Sequence, residues 1–166
     1  FVQASWRPVN PLKLVAGVRL DDNKIRDNGG FGTVANPRLA AIWSLRDLTF
    51  KAIYSEAFQD APNFQKYEKT ATRLLNNPTL APEKVKNFEL SAGWSPHKDL
   101  SVQLVGYRAT YQGIVEEVFG LACPAGATCP TGTTSQFQNV GALEILGAQL
   151  EGQWSPGRYR FVGTYT

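Results

Sequence analysis

The sequence predicts an all-β chain: a segment of an antiparallel transmembrane β-barrel with about eight meander strands. Three observations carry that expectation. Apolar residues recur at every second position in one stretch after another, the period of a strand with a single apolar face. Short and long connections alternate strictly along the chain. All four tryptophans, Trp6, Trp43, Trp94 and Trp154, stand just before a short connection.

Taken in order, strands are expected near 1–6, 12–21, 38–45, 48–58, 86–95, 100–113, 136–154 and 158–166. In the second, Leu12, Leu14, Ala16, Val18 and Leu20 alternate with Lys13, Val15, Gly17, Arg19 and Asp21. Leu48, Phe50, Ala52 and Tyr54 alternate with Thr49, Lys51, Ile53 and Ser55, and Phe88, Leu90, Ala92 and Trp94 with Asn87, Glu89, Ser91 and Gly93. The apolar parity switches between Leu104 and Tyr107, which predicts a bulge there. Four connections are short, and the three near 22–37, 58–85 and 113–137 are long. A helical turn fits 69–75, inside the second long connection.

Short turns at one end and long loops at the other are the habit of outer-membrane barrels. The tryptophans agree. Three belong to a repeated Trp-x-Pro (Trp6-Arg7-Pro8, Trp94-Ser95-Pro96, Trp154-Ser155-Pro156). Indole settles at a membrane–water boundary, so a row of it beside the short turns reads as an aromatic girdle. Parity then predicts lipid contact for Leu14, Val18, Phe50, Leu90, Leu150 and Phe161. It predicts a wet lumen for Lys13, Arg19, Thr49, Lys51, Asn87, Glu89, Ser91, Gln149, Glu151, Gln153 and Arg160. The same alternation also arises in any half-exposed sheet.

Composition sets limits. Seventeen basic against fourteen acidic residues give a net charge of +3, too mild to argue for a nucleic-acid partner. Charged residues make up 19%, below the roughly 25% usual for soluble domains. No 18-residue apolar run exists, and mean hydropathy is −0.24, which excludes a transmembrane helix but not transmembrane strands. The 166 residues contain no methionine, so the chain reads as processed or as part of a longer one. With short turns toward the periplasm, both chain ends fall on the extracellular side. The expectation is a mid-barrel segment with two open edges.

Several strings carry a family resemblance. Asn36-Pro37-Arg38-Leu39 opens a strand, followed by Ser55-Glu56-Ala57-Phe58 and Ala61-Pro62. Asn77-Pro78-Thr79-Leu80-Ala81-Pro82-Glu83, with Glu89 after it, is the most specific piece. Asn139-Val140-Gly141 and Gly147-Ala148-Gln149-Leu150-Glu151 follow. From about residue 10 to 166, their order and spacing resemble the C-terminal half of the barrel of TonB-dependent outer-membrane receptors. Phe58-Gln59-Asp60-Ala61-Pro62 departs from the family string by one extra residue and a missing Arg, and Gln149 stands where Glu is frequent.

The resemblance implies a barrel of about 22 strands around a plug. The plug, the TonB-contacting box, the first strands and the last strands then lie outside these residues. It also implies the cell outer membrane of a Gram-negative bacterium and uptake of a scarce nutrient, with a ferric siderophore the leading ligand class. Implied partners are outer-membrane lipid, the receptor's own N-terminal plug, TonB through the N-terminal region, and the ligand. Lys51, Glu89, Ser91, Gln149 and Glu151 are the expected lumen and plug-facing residues. Cobalamin, haem and oligosaccharides stay open as ligands.

The residues offer no catalytic constellation and no cofactor or metal motif. His97, the single histidine, sits in a short turn; Glu116 and Glu117 are adjacent and so point to opposite faces of a strand. Cys123 and Cys129 sit six apart in the third long loop, a spacing that suits a small loop disulfide worth about 2 kcal/mol. Phe58, Phe64 and Tyr67, at the base of the second long loop, are the candidate ligand contacts, because pockets use rigid aromatic walls. Two other readings compete with the transporter. One is a small outer-membrane barrel serving as anchor or adhesin; the other is a soluble carbohydrate-binding β-sandwich.

Overall fold

In the computed structural model, the residues described are 1–24, 30–69, 74–122 and 134–166. Eight strands run as one antiparallel meander: β1 (Val2–Val9), β2 (Leu12–Asn23), β3 (Gly32–Leu45), β4 (Leu48–Gln59), β6 (Glu83–His97), β7 (Leu100–Phe119), β8 (Ser135–Trp154) and β9 (Phe161–Tyr165). Between β4 and β6 lie a short helix, α1 (Asn63–Tyr67), and the two-residue β5 (Leu74–Leu75), which pairs in parallel with Ser135 and Gln136 of β8. Every meander strand pairs with its neighbour in sequence, and no ladder joins β1 to β9. The sheet is open.

Register turns the alternation into two faces. Across the strands, Trp6, Leu14, Ala41, Ala52, Leu90, Gly106 and Ala148 stand in one row. The row nearer the short turns is Leu12, Trp43, Phe50, Ala92, Leu104, Leu150 and Tyr165. These side chains are not packed against a second layer: Leu90 is 52% exposed and Leu150 46%. Only Ala61, Leu80 and Ala109 form a buried apolar set among the described residues, so the fold has no core of its own. The opposite face carries the predicted polar set. Lys13, Ile42, Lys51, Ser91, Val105 and Gln149 form one row there, and Thr49, Gly93, Gln103, Glu151 and Thr164 another.

All four indoles lie on the apolar face at the short-turn end, and each is about half exposed or more. The Trp-x-Pro repeat has a geometric reason. After Trp6↔Leu14 the next ladder pair is Val9↔Leu12, and after Trp94↔Val102 it is His97↔Leu100. Both shifts fall on the residues around the proline, which has no N–H to give to a ladder. The residue after each of three tryptophans ties its turn to the previous one. Ser44 N–H donates to Pro11 C=O at 3.3 Å, Ser95 to Asp47 at 2.8 Å and Ser155 to Asp99 at 2.7 Å.

Toward the long loops the apolar face ends in charges. Arg108 makes a two-pronged pair with Glu144, at 3.0 and 2.9 Å, and Lys86 lies 3.9 Å from Glu56. Arg108 is eight residues above Leu100, which is level with Trp154. At ~3.3 Å per residue and a strand tilt of 35–45°, that is about 20 Å of height. Between the tryptophans and this boundary the face carries no charged side chain.

Three expectations need correction. No bulge occurs between Leu104 and Tyr107; the register runs unbroken through them on both sides. The parity switch arises because the apolar face takes Gly106 and Arg108 while the lumen face takes Val105 and Tyr107. The bulge lies instead at 112–115, where Gly113 adopts a left-handed φ of 69°. A helical turn occurs at Asn63–Tyr67; of the expected turn at 69–75, residues 70–73 lie outside the described residues, and Leu74 and Leu75 are strand. The long connections are also shorter than expected, because β2, β3, β6, β7 and β8 all run past the alternating stretches.

Candidate functional site

At the long-loop end, β7 and β8 rise as a pair of twenty-residue strands, about twice the length a barrel needs to cross a bilayer. The segment between β4 and β6 folds against this arm. Its attachment is made by the bulge. Bulging displaces the Val115 N–H from the ladder, and the Glu83 carboxylate accepts it at 2.7 Å. Asn139 uses its amide as a substitute strand: its Oδ1 accepts from Ala81 N–H at 2.9 Å, and its Nδ2 donates to Ala81 C=O at 2.9 Å and to Gly113 C=O at 2.7 Å. Asn77 Nδ2 donates to Phe137 C=O at 2.9 Å, while its Oδ1 accepts from the Thr79 hydroxyl at 2.7 Å. Gln136 Nε2 donates to Asn76 C=O at 3.0 Å.

Asn77, Glu83 and Asn139 belong to the strings that carry the family resemblance. The structure brings them together as a clamp. From it hangs α1, tied by the Asn77 N–H to Lys66 C=O bond at 2.9 Å. The Lys66 ammonium is buried, and its pairing with Asp60 at 2.7 and 2.8 Å holds the charge there.

The candidate ligand contacts are only partly gathered. Phe64 on α1 meets Phe137 of β8 edge-on, with centroids 5.9 Å apart, and stays 53% exposed. Phe58 pairs with Phe31 at 4.9 Å. It shares a register position with Lys84, on the side of the sheet that carries the apolar face lower down. Tyr67, at the end of α1, is 41% exposed. The three residues therefore form two separate aromatic pairs and one exposed ring rather than one wall. Phe31, Phe137 and the hydrogen-bonding role of Asn139 were not foreseen. Only the strand pattern flanking Phe137 and the presence of Asn139 in a family string pointed near them.

The predicted lumen residues share a face. Lys51 stands opposite Ser91, which is 8% exposed, and Glu89 opposite Tyr107; Gln149 stands opposite Val105 and Glu151 opposite Gln103. Tyr107 lies across Gly147, where an added Cβ would come within 2.5 Å of the ring. Cys123 and Cys129 lie outside the described residues. Among the described residues no cluster of three or more His, Cys, Asp and Glu side chains is placed to hold a metal.

No curated protein matches the chain. The family described as TonB dependent receptor-like, beta-barrel matches residues 1–166. Among solved structures, the siderophore receptor PirA from Acinetobacter baumannii superposes with a TM-score of 0.74 at 20% identity, covering 98% of this chain and 26% of that one. A mutant of the ferric enterobactin receptor PfeA from Pseudomonas aeruginosa gives 0.72 at 21% identity, over 93% and 24%. A mutant of the hemophore receptor HasR from Serratia marcescens, in complex with its hemophore and heme, gives 0.63 at 13%, over 90% and 30%. The chain thus spans about a quarter of the length of the first receptors it resembles. These relatives are receptors rather than enzymes, and the barrels of the matched family are Gram-negative outer-membrane proteins. The open meander, with one face free of charge between the tryptophans and the Arg108–Glu144 pair and its long loops at one end, is accounted for by that match: the chain belongs to the TonB-dependent receptors, as part of their β-barrel domain.

Proposed function

We propose that the chain is a section of an outer-membrane receptor that takes up a ferric siderophore, driven by TonB and gated by a plug inside the barrel. The observation that carries this reading is the apolar face. It is free of charge for about 20 Å of height, bounded by tryptophans below and by the Arg108–Glu144 pair above. That band suits lipid, and it leaves the clamped loop and its aromatics outside the membrane, where a ligand arrives. Support for the ligand class comes from PirA and PfeA, which are a siderophore and a ferric enterobactin receptor. The small closed barrel does not fit an open sheet without a β1–β9 ladder, and the sandwich does not fit a single layer. Deleting the parent gene should abolish growth on a ferric siderophore as sole iron source, as should deleting TonB. Undiminished growth in the gene deletion on every siderophore tried, with uptake of radioactive iron unchanged, sinks the reading.

A further inference from the structure

We propose that the three short turns at 46–47, 96–99 and 155–160 form a cationic collar that binds the headgroups of anionic phospholipids in the adjoining leaflet. The inference rests on the membrane reading above and adds a partner for the opposite end of the barrel. Its first support is where the charge sits. The short-turn residues 7–11, 46–47, 96–99 and 155–160 hold five of the seventeen basic residues and two of the fourteen acidic ones. Two of the five, Arg7 beside Lys13 and Arg160 bonded to Gln153, stand on the lumen side, so Arg46, Lys98 and Arg158 are the cations left for the outer rim, against Asp47 and Asp99.

The second support is repetition. Three turns carry a cation three or four residues after the tryptophan: Arg46, Lys98 and Arg158. All three are exposed, and none makes an ion pair among the described residues; Arg7 instead lines a recess with the lumen-facing Lys13 and Ile42. An indole at the boundary with an ammonium or guanidinium just beyond it sets the cation at the depth of lipid phosphates. The third support is conformational. Arg46 adopts φ 45°, a left-handed position that Gly or Asn takes at lower cost. A cation stands there although local backbone preference argues against it. The Ser95 and Ser155 bonds join successive turns, so the cations share one rim rather than three independent tips.

Each basic residue beside an anionic surface contributes about a fivefold preference. The full receptor, reconstituted in nanodiscs of mixed phosphatidylethanolamine and phosphatidylglycerol and released for native mass spectrometry, should retain phosphatidylglycerol well above its share. The triple variant Arg46→Gln, Lys98→Gln, Arg158→Gln should lose at least about fivefold of that enrichment. Heat-modifiable mobility checks that it has folded. If it fails to fold, Asp47→Asn with Asp99→Asn decides: removing the two turn carboxylates should raise the enrichment, and no rise overturns the collar. Equal enrichment in wild type and triple variant also overturns it and leaves the turn cations to an acidic periplasmic protein. Lipid retention is read without any siderophore, so loss of iron uptake and loss of lipid preference register separately.

Discussion

Tyr107 and Gly147 show how one residue licenses another. The ring of Tyr107 lies over β8 only because position 147 has no Cβ, an arrangement that covers a bare strand glycine with an aromatic face. Gly147→Ala should therefore cost about 1–3 kcal/mol in the full receptor, read as a lower melting temperature. Adding Tyr107→Ser should return most of the loss, and a double-mutant cycle without coupling would refute the contact. Leu90 and Gln103 test the two faces in the same way. Leu90→Arg sets a charge in the apolar band, at about 2–4 kcal/mol, and should block assembly as read by heat-modifiable mobility. Gln103→Arg, exposed on the lumen face, should be tolerated. The sequence showed which side each of these residues takes, because a two-residue period assigns faces directly. It did not show that Tyr107 crosses onto Gly147, since a cross-strand partner depends on register and not on parity.

At the long-loop end β2, β3, β4, β6, β7 and β8 run past their alternation, and the reason is solvent. Alternation is clearest where one face meets lipid; above Arg108 β7 and β8 leave the apolar band and the clamped loop packs on them, so the ladder continues while the pattern stops. That is why the sequence places the loop-side ends too short; at the turns it matches the starts of β2, β4 and β7 and the ends of β3 and β8, while β1 and β6 run two or three residues further and β9 begins at Phe161 rather than 158. The clamp was half legible. Its residues stood out as family strings, but nothing in their spacing told that Asn139 reaches Ala81, 58 residues earlier. Asn139→Leu removes three hydrogen bonds at a partly wet site, so the local cost is about 1–3 kcal/mol. Amide exchange across 76–83 should accelerate by about fivefold or more while exchange in β6 stays unchanged. Unaltered exchange in 76–83 would show that the loop is held by other contacts. Phe64→Ala, on the helix that hangs from this clamp, should weaken siderophore binding measured by fluorescence quenching without changing assembly.

At the scale of the whole molecule, no second layer packs behind the sheet among the described residues. Their three buried apolar side chains make too small a core to stabilise these strands, so the strands depend on lipid outside and on partners at both edges. Expressed alone in detergent, the chain should melt broadly, with early proteolysis at β1 and β9; a single sharp transition would contradict that dependence. The open edges were anticipated from the direction of the end strands, whereas the absence of a self-contained core became visible only in the exposures. The turn-to-turn bonds from Ser44, Ser95 and Ser155 have a kinetic consequence. Apart from β5 and the loop clamp, each strand of the meander is laddered only to its sequence neighbours, which makes the membrane-level sheet a one-dimensional chain of nearest-neighbour couplings. Growth by one hairpin at a time then needs no long-range search, and loop-closure entropy is met in small equal steps. By the same logic, barrel circumference is a count of hairpins. A gene that gains or loses one such unit changes the width of the pore while every surviving joint keeps its geometry.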